Sequence, residues 1–129
     1  MSQIGIEYEH FVPEAKLNPD WYKNLNFILV GSIEQLKEIM STPANYIAFD
    51  TETTGLDASK DFIVGYSFSF DGKTGYYVPV RHISPPFLGR EALEILYEKM
   101  KQVKRVFILN LRFDFRIMEY AGFVIEVVS

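Results

Sequence analysis

The stretch YIAFDTETTGLD, residues 46–57, joins an apolar, β-rich run to two acidic residues and a glycine turn. The length of Tyr46–Thr51 favours a central strand that is buried on both faces. Side chains alternate along a strand, so Asp50 and Glu52 point to the same face, where their like charges repel. A bound cation explains why both are present. For the pair alone, a strand end followed by a polar turn is the commoner explanation.

The segments before this strand predict an arm, a strand and a helix. Residues 1–25 show little periodicity and are expected to form an extended arm, with Trp21 and Tyr22 as its anchors. Phe27–Val30 is a short apolar run typical of a strand. Ser32 and Gln35 have the form of a capping box, which predicts a helix ending near residues 41–43.

The segments after it predict a hairpin. Apolar residues alternate over Phe62–Phe70, which is the clearest strand pattern in the chain. The turn Asp71–Lys73 then leads to a second arm, Tyr76–Val80. Pro79 has no amide hydrogen to donate, so this second arm is expected at the edge of the sheet.

The rest of the chain predicts alternating helices and strands. Arg90–Gln102 has the apolar spacing of an amphipathic helix, and Val106–Leu109 reads as a buried strand. Asn110 is a suitable cap for a helix that stops at Gly122, after which Phe123–Val128 forms a strand. The order of elements indicates an α/β fold with a mixed sheet covered by helices.

Asp114 adds a third acid. It shares a largely apolar face of the last predicted helix, and a carboxylate on such a face requires a partner. The helix directly follows Val106–Leu109, so parallel pairing of that strand with Tyr46–Thr51 brings Asp114 to Asp50 and Glu52. Three converging acids suit a hard cation, and two divalent ions are the usual device for phosphodiester hydrolysis.

Composition limits the alternatives. The 129 residues, 48% apolar and 16% aromatic, suffice for one compact domain. No apolar stretch approaches the roughly 20 residues of a membrane span, and no signal pattern opens the chain, so a soluble, cytoplasmic protein is expected. The chain has no cysteine, so a metal must be held by oxygen or histidine, which favours magnesium or manganese. A net charge of −4 argues against nucleic-acid binding through overall positive charge.

Four segments in unbroken order carry a resemblance: AFDTETTGLD, IVGYSFSFDGKTGYYVPVRH, REALEILYEKM and NLRFDFRIMEYAGF. Residues 26–128 resemble the 3′–5′ proofreading exonuclease domain of family A DNA polymerases, in the DEDD, ribonuclease H-like superfamily. The resemblance implies strand order 3-2-1-4-5, counted from Tyr46–Thr51, with strand 2 antiparallel and helices on the sheet. It also implies two-metal hydrolysis with Mg²⁺ or Mn²⁺ of the 3′-terminal phosphodiester of single-stranded DNA, in DNA replication.

The resemblance assigns roles to the acids and to three further residues. It implies that Asp50 and Glu52 are catalytic metal ligands and that Asp114 is the second-motif acid, reaching a metal directly or through water. Substrate contacts are implied for Thr53, for Leu56, which would pack on the terminal base, and for Asn110, which would hold the nucleotide backbone. For Leu56 a core or turn position is an equal alternative, and for Asn110 helix capping is compatible with a substrate role.

Two departures from the family pattern affect these expectations. Leu109 stands where the family often has a polar residue. The third motif, a Tyr or His followed four residues later by an acid, is absent, since neither Glu119 nor Glu126 has that context. Residues 26–129 are therefore expected to be the front part of the domain, with weak or partial metal binding, little or no activity alone, and a polymerase domain following in the full-length protein.

Alternatives of other kinds remain open. One is a non-catalytic exonuclease-like scaffold or single-strand-binding module, and another is an RNA-processing DEDD exonuclease. The hairpin YYVPVRH favours the polymerase branch. For His10 and His82 a surface or loop role is favoured over catalysis. A solvated helix end is expected for the basic residues around it: Lys99, Lys101, Lys104 and Arg105.

Overall fold

The computed structural model describes residues 3–7, 26–82, 85, 87–108 and 111–128. In chain order its elements are β1 (Gln3–Glu7), β2 (Asn26–Leu29), α1 (Ile33–Met40), β3 (Tyr46–Thr53), β4 (Ile63–Ser69), β5 (Thr74–Pro79), α2 (Arg90–Gln102), β6 (Arg105–Ile108), α3 (Leu111–Tyr120) and β7 (Val124–Val128). No helix of the described part of the chain is long and apolar enough to cross a membrane.

A mixed five-stranded sheet has the order β2-β5-β4-β3-β6. The strand β4 is antiparallel to both β3 and β5, and β6 is parallel to β3. The expected α/β fold is thus confirmed, and the predicted order 3-2-1-4 corresponds to β5-β4-β3-β6. The strand β7, fifth in that order, pairs in parallel with β1 in a separate two-stranded sheet. The N-terminal segment therefore supplies a strand; Trp21, Tyr22 and His10 lie outside the described residues.

The prediction that the second hairpin arm lies at the sheet edge was wrong. The edge strand is β2, which pairs in parallel with β5 from Asn26 opposite Thr74 to Leu29 opposite Tyr77. Pro79 is the last residue of β5 and lies beyond the residues that pair with β2. The pairing between β5 and β2 therefore does not require an amide hydrogen at this position. A proline at a strand end is compatible with an internal strand.

The strand β3 is less buried than its apolar sequence suggested. Its buried side chains are Ile47, Phe49 and Thr51, while the alternate positions from Tyr46 to Asp50 are half-buried. One face therefore packs in the core and the other stays partly open to solvent. The predicted site residues Asp50 and Glu52 project from this more open face.

The helices follow their predicted faces. Ser32 caps α1 by accepting a hydrogen bond from Gln35 N at 3.1 Å. All four predicted apolar positions of α2 are buried: Leu93, Leu96, Tyr97 and Met100. The expectation of a solvated Lys99 was wrong, because this side chain is only 5% exposed and its Nζ donates to Thr42 O at 2.6 Å. The Lys99 Nζ also lies 5.4 Å from the centroid of the Phe70 ring, so the buried charge has a backbone acceptor and an aromatic neighbour. Gly122 has a φ of 101°, consistent with its predicted role as a helix stop.

Candidate active site

The predicted acids on β3 lie at and just beyond the point where its pairing with β6 ends. The strand β6 pairs with β3 as far as Phe49, opposite Ile108, and the chain then continues into α3. On the other side, β4 places Ser67 opposite Asp50 and Gly65 opposite Glu52. The carboxylates of Asp50 and Glu52 therefore stand at the carboxyl end of a central strand, beside the start of a helix. Ligands commonly bind at this edge of α/β sheets.

Asp114 is brought to the same place from α3. Its side chain is 1% exposed, and Oδ1 accepts a short hydrogen bond from the hydroxyl of buried Thr51. Asp114 also makes a side-chain hydrogen bond with Asp50. Two acidic side chains are thus brought together at a buried position, where a bound cation would offset their mutual repulsion.

The electrostatics of Asp50 reflect this crowding. Burial raises the pKa of Asp50 above its ordinary value, the charge of Glu52 raises it further, and the hydrogen bond with Asp114 opposes these two effects. The negative form of Asp50 is therefore disfavoured in the metal-free fold. A divalent cation bound beside Asp50 would reverse this preference, because it would supply an opposite charge.

The exposed carboxylate of Glu52 is oriented by a different neighbour. The hydroxyl of Tyr77 donates to Glu52 Oε2 at 3.1 Å and lies 2.8 Å from His82 Nε2. Burial, followed by the charge of Glu52 and the hydrogen bond to it, raises the pKa of Tyr77 to about 12. Tyr77 therefore remains a neutral hydroxyl donor to Glu52 at physiological pH.

Two of the three predicted acids thus form a pair, and the third lies beside them. Asp50 and Asp114 are in contact, whereas Glu52 bonds to Tyr77. Within the described ranges, no group of three or more His, Cys, Asp and Glu side chains has an arrangement that could hold a metal ion. In donor type the acids suit Mg²⁺ or Mn²⁺, since hard divalent ions prefer carboxylate oxygens. The crowded Asp50–Asp114 pair is the part of the site that fits a cation most directly.

The loop after β3 presents Leu56 to solvent. Thr53 Oγ1 donates to Gly55 O at 2.6 Å, and Thr54 Oγ1 donates to Asp61 Oδ1 at 2.8 Å. A Cβ on Gly55 would lie 2.6 Å from Asp61 Oδ2, so the loop closes tightly around this carboxylate. Leu56 is 86% exposed, which excludes the alternative of a core leucine. Asn110 and Leu109 lie outside the described residues.

Sequence reasoning missed the part played by the β4–β5 hairpin. It treated His82 as a loop residue, and it gave no role to Tyr77 or Gly65. The signal available was strand alternation: Tyr77 is paired with Ser67, which is itself opposite Asp50, so all three lie in one row across the sheet. Locating that row required the strand register, which the sequence pattern alone left undefined.

Comparison with solved structures defines the class of fold. NrnC of Brucella melitensis matches with a TM-score of 0.52 at 18% sequence identity, over 76% of this chain and 44% of that one. The structure of the same protein with bound Mg²⁺ matches with a TM-score of 0.51 at 19% identity, over the same shares of the two chains. At these identities the similarity establishes a shared fold.

Sequence comparison identifies the family. The family model described as 3′–5′ exonuclease matches residues 27–129, and the chain belongs to this family, the exonuclease domain of family A DNA polymerases. DNA polymerase I of Borreliella burgdorferi is 29% identical over 92 residues, covering 70% of this chain and 10% of the relative. DNA polymerase I of Pseudomonas aeruginosa is 41% identical over 68 residues, covering 47% and 7%. The chain spans a small part of the length of these relatives.

Proposed function

We propose that this chain is the front part of a proofreading exonuclease domain that removes nucleotides from the 3′ end of single-stranded DNA during replication. The observation that carries the proposal is the position of Asp114, buried on α3 and hydrogen-bonded to both Asp50 and Thr51 at the end of β3. Bringing acids distant in sequence into contact costs electrostatic free energy, and a cation compensates for that cost. Membership of the exonuclease family supports the same function.

In this proposal Asp50, Glu52 and Asp114 would hold two ions, Mg²⁺ or Mn²⁺. When bound, such ions supply the activation of water and the charge stabilisation that phosphodiester hydrolysis requires. Thr51 fixes the orientation of Asp114 by donating to Oδ1. Protons compete with a cation for these carboxylates, so metal binding should weaken as the pH falls.

The substrate contacts are proposed for the loop and the helix that flank the acids. Leu56, exposed on a closed loop, offers an apolar surface to the terminal base. Thr53 uses its hydroxyl hydrogen within the loop, so its contribution to substrate is through the acceptor oxygen or the backbone. Asn110 remains proposed from the family resemblance, as a contact to the nucleotide backbone.

We further propose that sequence beyond Ser129 supplies the third motif and a polymerase domain. The chain covers 10% and 7% of two DNA polymerase I relatives, which is consistent with a much longer full-length protein. Without the aromatic or histidine residue and the fourth acid of that motif, the chain alone should bind metal weakly and degrade DNA slowly or not at all.

The test of this function combines calorimetric Mn²⁺ titration with a nuclease assay. Wild-type chain should bind Mn²⁺, and Asp114→Asn, which retains an oxygen for the Thr51 hydroxyl, should lose most of that binding. Glu119→Gln, a charge removal on the exposed side of the same helix, is the matched control and should bind as wild type does. Equal binding by Asp114→Asn and wild type would contradict the proposed site.

The nuclease assay addresses activity and substrate. End-labelled DNA and RNA oligonucleotides of the same sequence are incubated with the chain in Mn²⁺, and products are resolved by length. Slow or absent cleavage is expected, with any cleavage greater on DNA. Fast metal-dependent release from the 3′ end, abolished by Asp50→Ala, would show that the third motif is dispensable, and preference for RNA would favour an RNA-processing exonuclease.

A non-catalytic scaffold is the second candidate. It is favoured by the finding that Asp50, Glu52 and Asp114 do not form a three-membered metal group among the described residues. A scaffold predicts no response to Mn²⁺ and binding of single-stranded oligonucleotide that EDTA leaves unchanged. The same calorimetric titration therefore separates the two functions.

A further inference from the structure

We propose that Tyr77 and His82 are positioning residues that hold the Glu52 carboxylate in place for metal binding. The hydroxyl of Tyr77 donates to Glu52 Oε2 at 3.1 Å, and the same hydroxyl lies 2.8 Å from His82 Nε2. This inference rests on the proposed function, because it assumes that Glu52 is a metal ligand. It adds two residues from the hairpin to a site otherwise built from β3 and α3.

The register of the sheet shows how Tyr77 reaches Glu52. Tyr77 pairs with Ser67, and Gly65 pairs with Glu52, so the tyrosine starts one row away from the carboxylate. Its ring leans across Gly65: a Cβ there would lie 2.8 Å from Tyr77 Cζ and 2.9 Å from Val78 O. A side chain at position 65 would therefore occupy the space through which the Tyr77 hydroxyl reaches Glu52.

The direction of the hydrogen bonds follows from the groups involved. A carboxylate only accepts, so the single hydroxyl hydrogen of Tyr77 is donated to Glu52. The hydroxyl oxygen then accepts from His82, which must carry its hydrogen on Nε2. The resulting chain runs from His82 Nε2–H to the Tyr77 hydroxyl and on to Glu52 Oε2. It fixes the histidine tautomer as well as the carboxylate.

Positioning matters here because Glu52 is exposed. A free glutamate on a surface samples many rotamers, and binding a metal requires it to adopt one of them. The Tyr77 hydroxyl restricts this freedom before the ion arrives. Partners that orient metal ligands in this way commonly change metal affinity by about 10- to 100-fold when they are removed.

The experiment compares three variants of the chain with wild type by calorimetric Mn²⁺ titration. Tyr77→Phe keeps the ring over Gly65 and removes the hydroxyl; it should bind Mn²⁺ about 10- to 100-fold more weakly than wild type. Tyr76→Phe makes the same chemical change on the opposite face of β5, where the ring stacks on Phe68 at 4.9 Å, and should bind as wild type does. Asp50→Asn tests the proposed metal site itself.

A spectroscopic readout separates positioning from general packing. Nitrogen-15 NMR of metal-free wild type should show His82 with its hydrogen on Nε2, and Tyr77→Phe should shift the His82 ring nitrogens while the circular dichroism spectrum stays unchanged. A merely structural tyrosine would leave both the tautomer signature and the Mn²⁺ affinity unaltered.

The outcomes distinguish this inference from the function on which it rests. Mn²⁺ binding that Asp50→Asn abolishes but Tyr77→Phe leaves unchanged would overturn the positioning role and preserve the metal site. Wild-type His82 with its hydrogen on Nδ1 would overturn the hydrogen-bond chain. Absence of Mn²⁺ binding by wild type would overturn the proposed metal site, and the positioning role with it.

Discussion

Replacing Asp50 with asparagine should change the stability of the protein in opposite directions with and without metal. In the metal-free fold, Asp50 is half-buried, faces the charge of Glu52 and hydrogen-bonds to Asp114. The amide of an asparagine can donate a hydrogen bond to the Asp114 carboxylate. The substitution therefore keeps the hydrogen bond and removes the repulsion.

The expected magnitude follows from the spacing of the charges. Side chains two residues apart on a strand are separated by about 7 Å, which at an effective dielectric constant of about 20 gives roughly 2.4 kcal/mol of repulsion. Solvent at this half-open face reduces the value to about 1 kcal/mol. For a chain of 129 residues, that corresponds to a rise in Tm of about 4 °C in EDTA.

Mn²⁺ should reverse the order of thermal stability of wild type and Asp50→Asn. At a Mn²⁺ concentration 100 times the Kd, binding stabilises wild type by about 2.7 kcal/mol, or about 10 °C in Tm. Asp50→Asn should lose most of this gain, so that wild type becomes the more stable protein in Mn²⁺. Thermal unfolding followed by circular dichroism, in EDTA and over a Mn²⁺ series, measures both effects.

Glu119→Gln is the control for removing one negative charge, and its Tm should stay within about 2 °C of wild type in both conditions. The reasoning would be refuted if Asp50→Asn were less stable than wild type in EDTA. It would equally be refuted if the variant kept the full response to Mn²⁺, because the Asp50 carboxylate could then be neither a source of repulsion nor a ligand.

Three other substitutions test separate features. Tyr66→Phe removes a buried hydroxyl that donates to Ala92 O at 2.7 Å, and should cost about 1 kcal/mol in urea unfolding at pH 7. Burial raises the pKa of Tyr66 above the value of 10.0 that it has in the unfolded chain, so the stability that its neutral hydroxyl contributes is complete below pH 10 and is lost as the pH rises further. The difference in unfolding free energy between wild type and Tyr66→Phe should therefore shrink above pH 10. A difference that grew above pH 10 would contradict this account. Gly65→Ala should destabilise the protein by about 1–3 kcal/mol, because the added Cβ meets the Tyr77 ring. Adding Tyr77→Phe should restore part of the lost stability. If the two effects were fully additive in urea unfolding, the contact between position 65 and Tyr77 would be ruled out. Leu56→Ala should leave Tm within about 2 °C of wild type, since the side chain is 86% exposed. It should weaken the binding of a single-stranded oligonucleotide, measured by fluorescence anisotropy. Unchanged binding would show that Leu56 is not part of the substrate site.

Local sequence patterns determined most of the elements of this protein. The Ser32 cap and the apolar face of α2 depend on residues close in the chain, and both appear in the structure as predicted. The predicted alternation in β4 holds from Tyr66 to Ser69 but fails at its start, where Ile63 is buried and Phe62 is exposed. The strand order 3-2-1-4 was also accessible, because it came with the family resemblance. The placements of β1 and β2 were not, since a short strand can pair with any free edge of suitable register.

Tertiary structure alone decided how the acids are arranged. The sequence indicated three carboxylates at one place, and pairing of β6 with β3 does bring Asp114 to Asp50. Glu52 is hydrogen-bonded to Tyr77, whose reach across Gly65 is set by the register of three strands. A sequence pattern specifies which face a side chain occupies, but hydrogen bonds between strands depend on distances of a few tenths of an ångström, which only the packed fold defines.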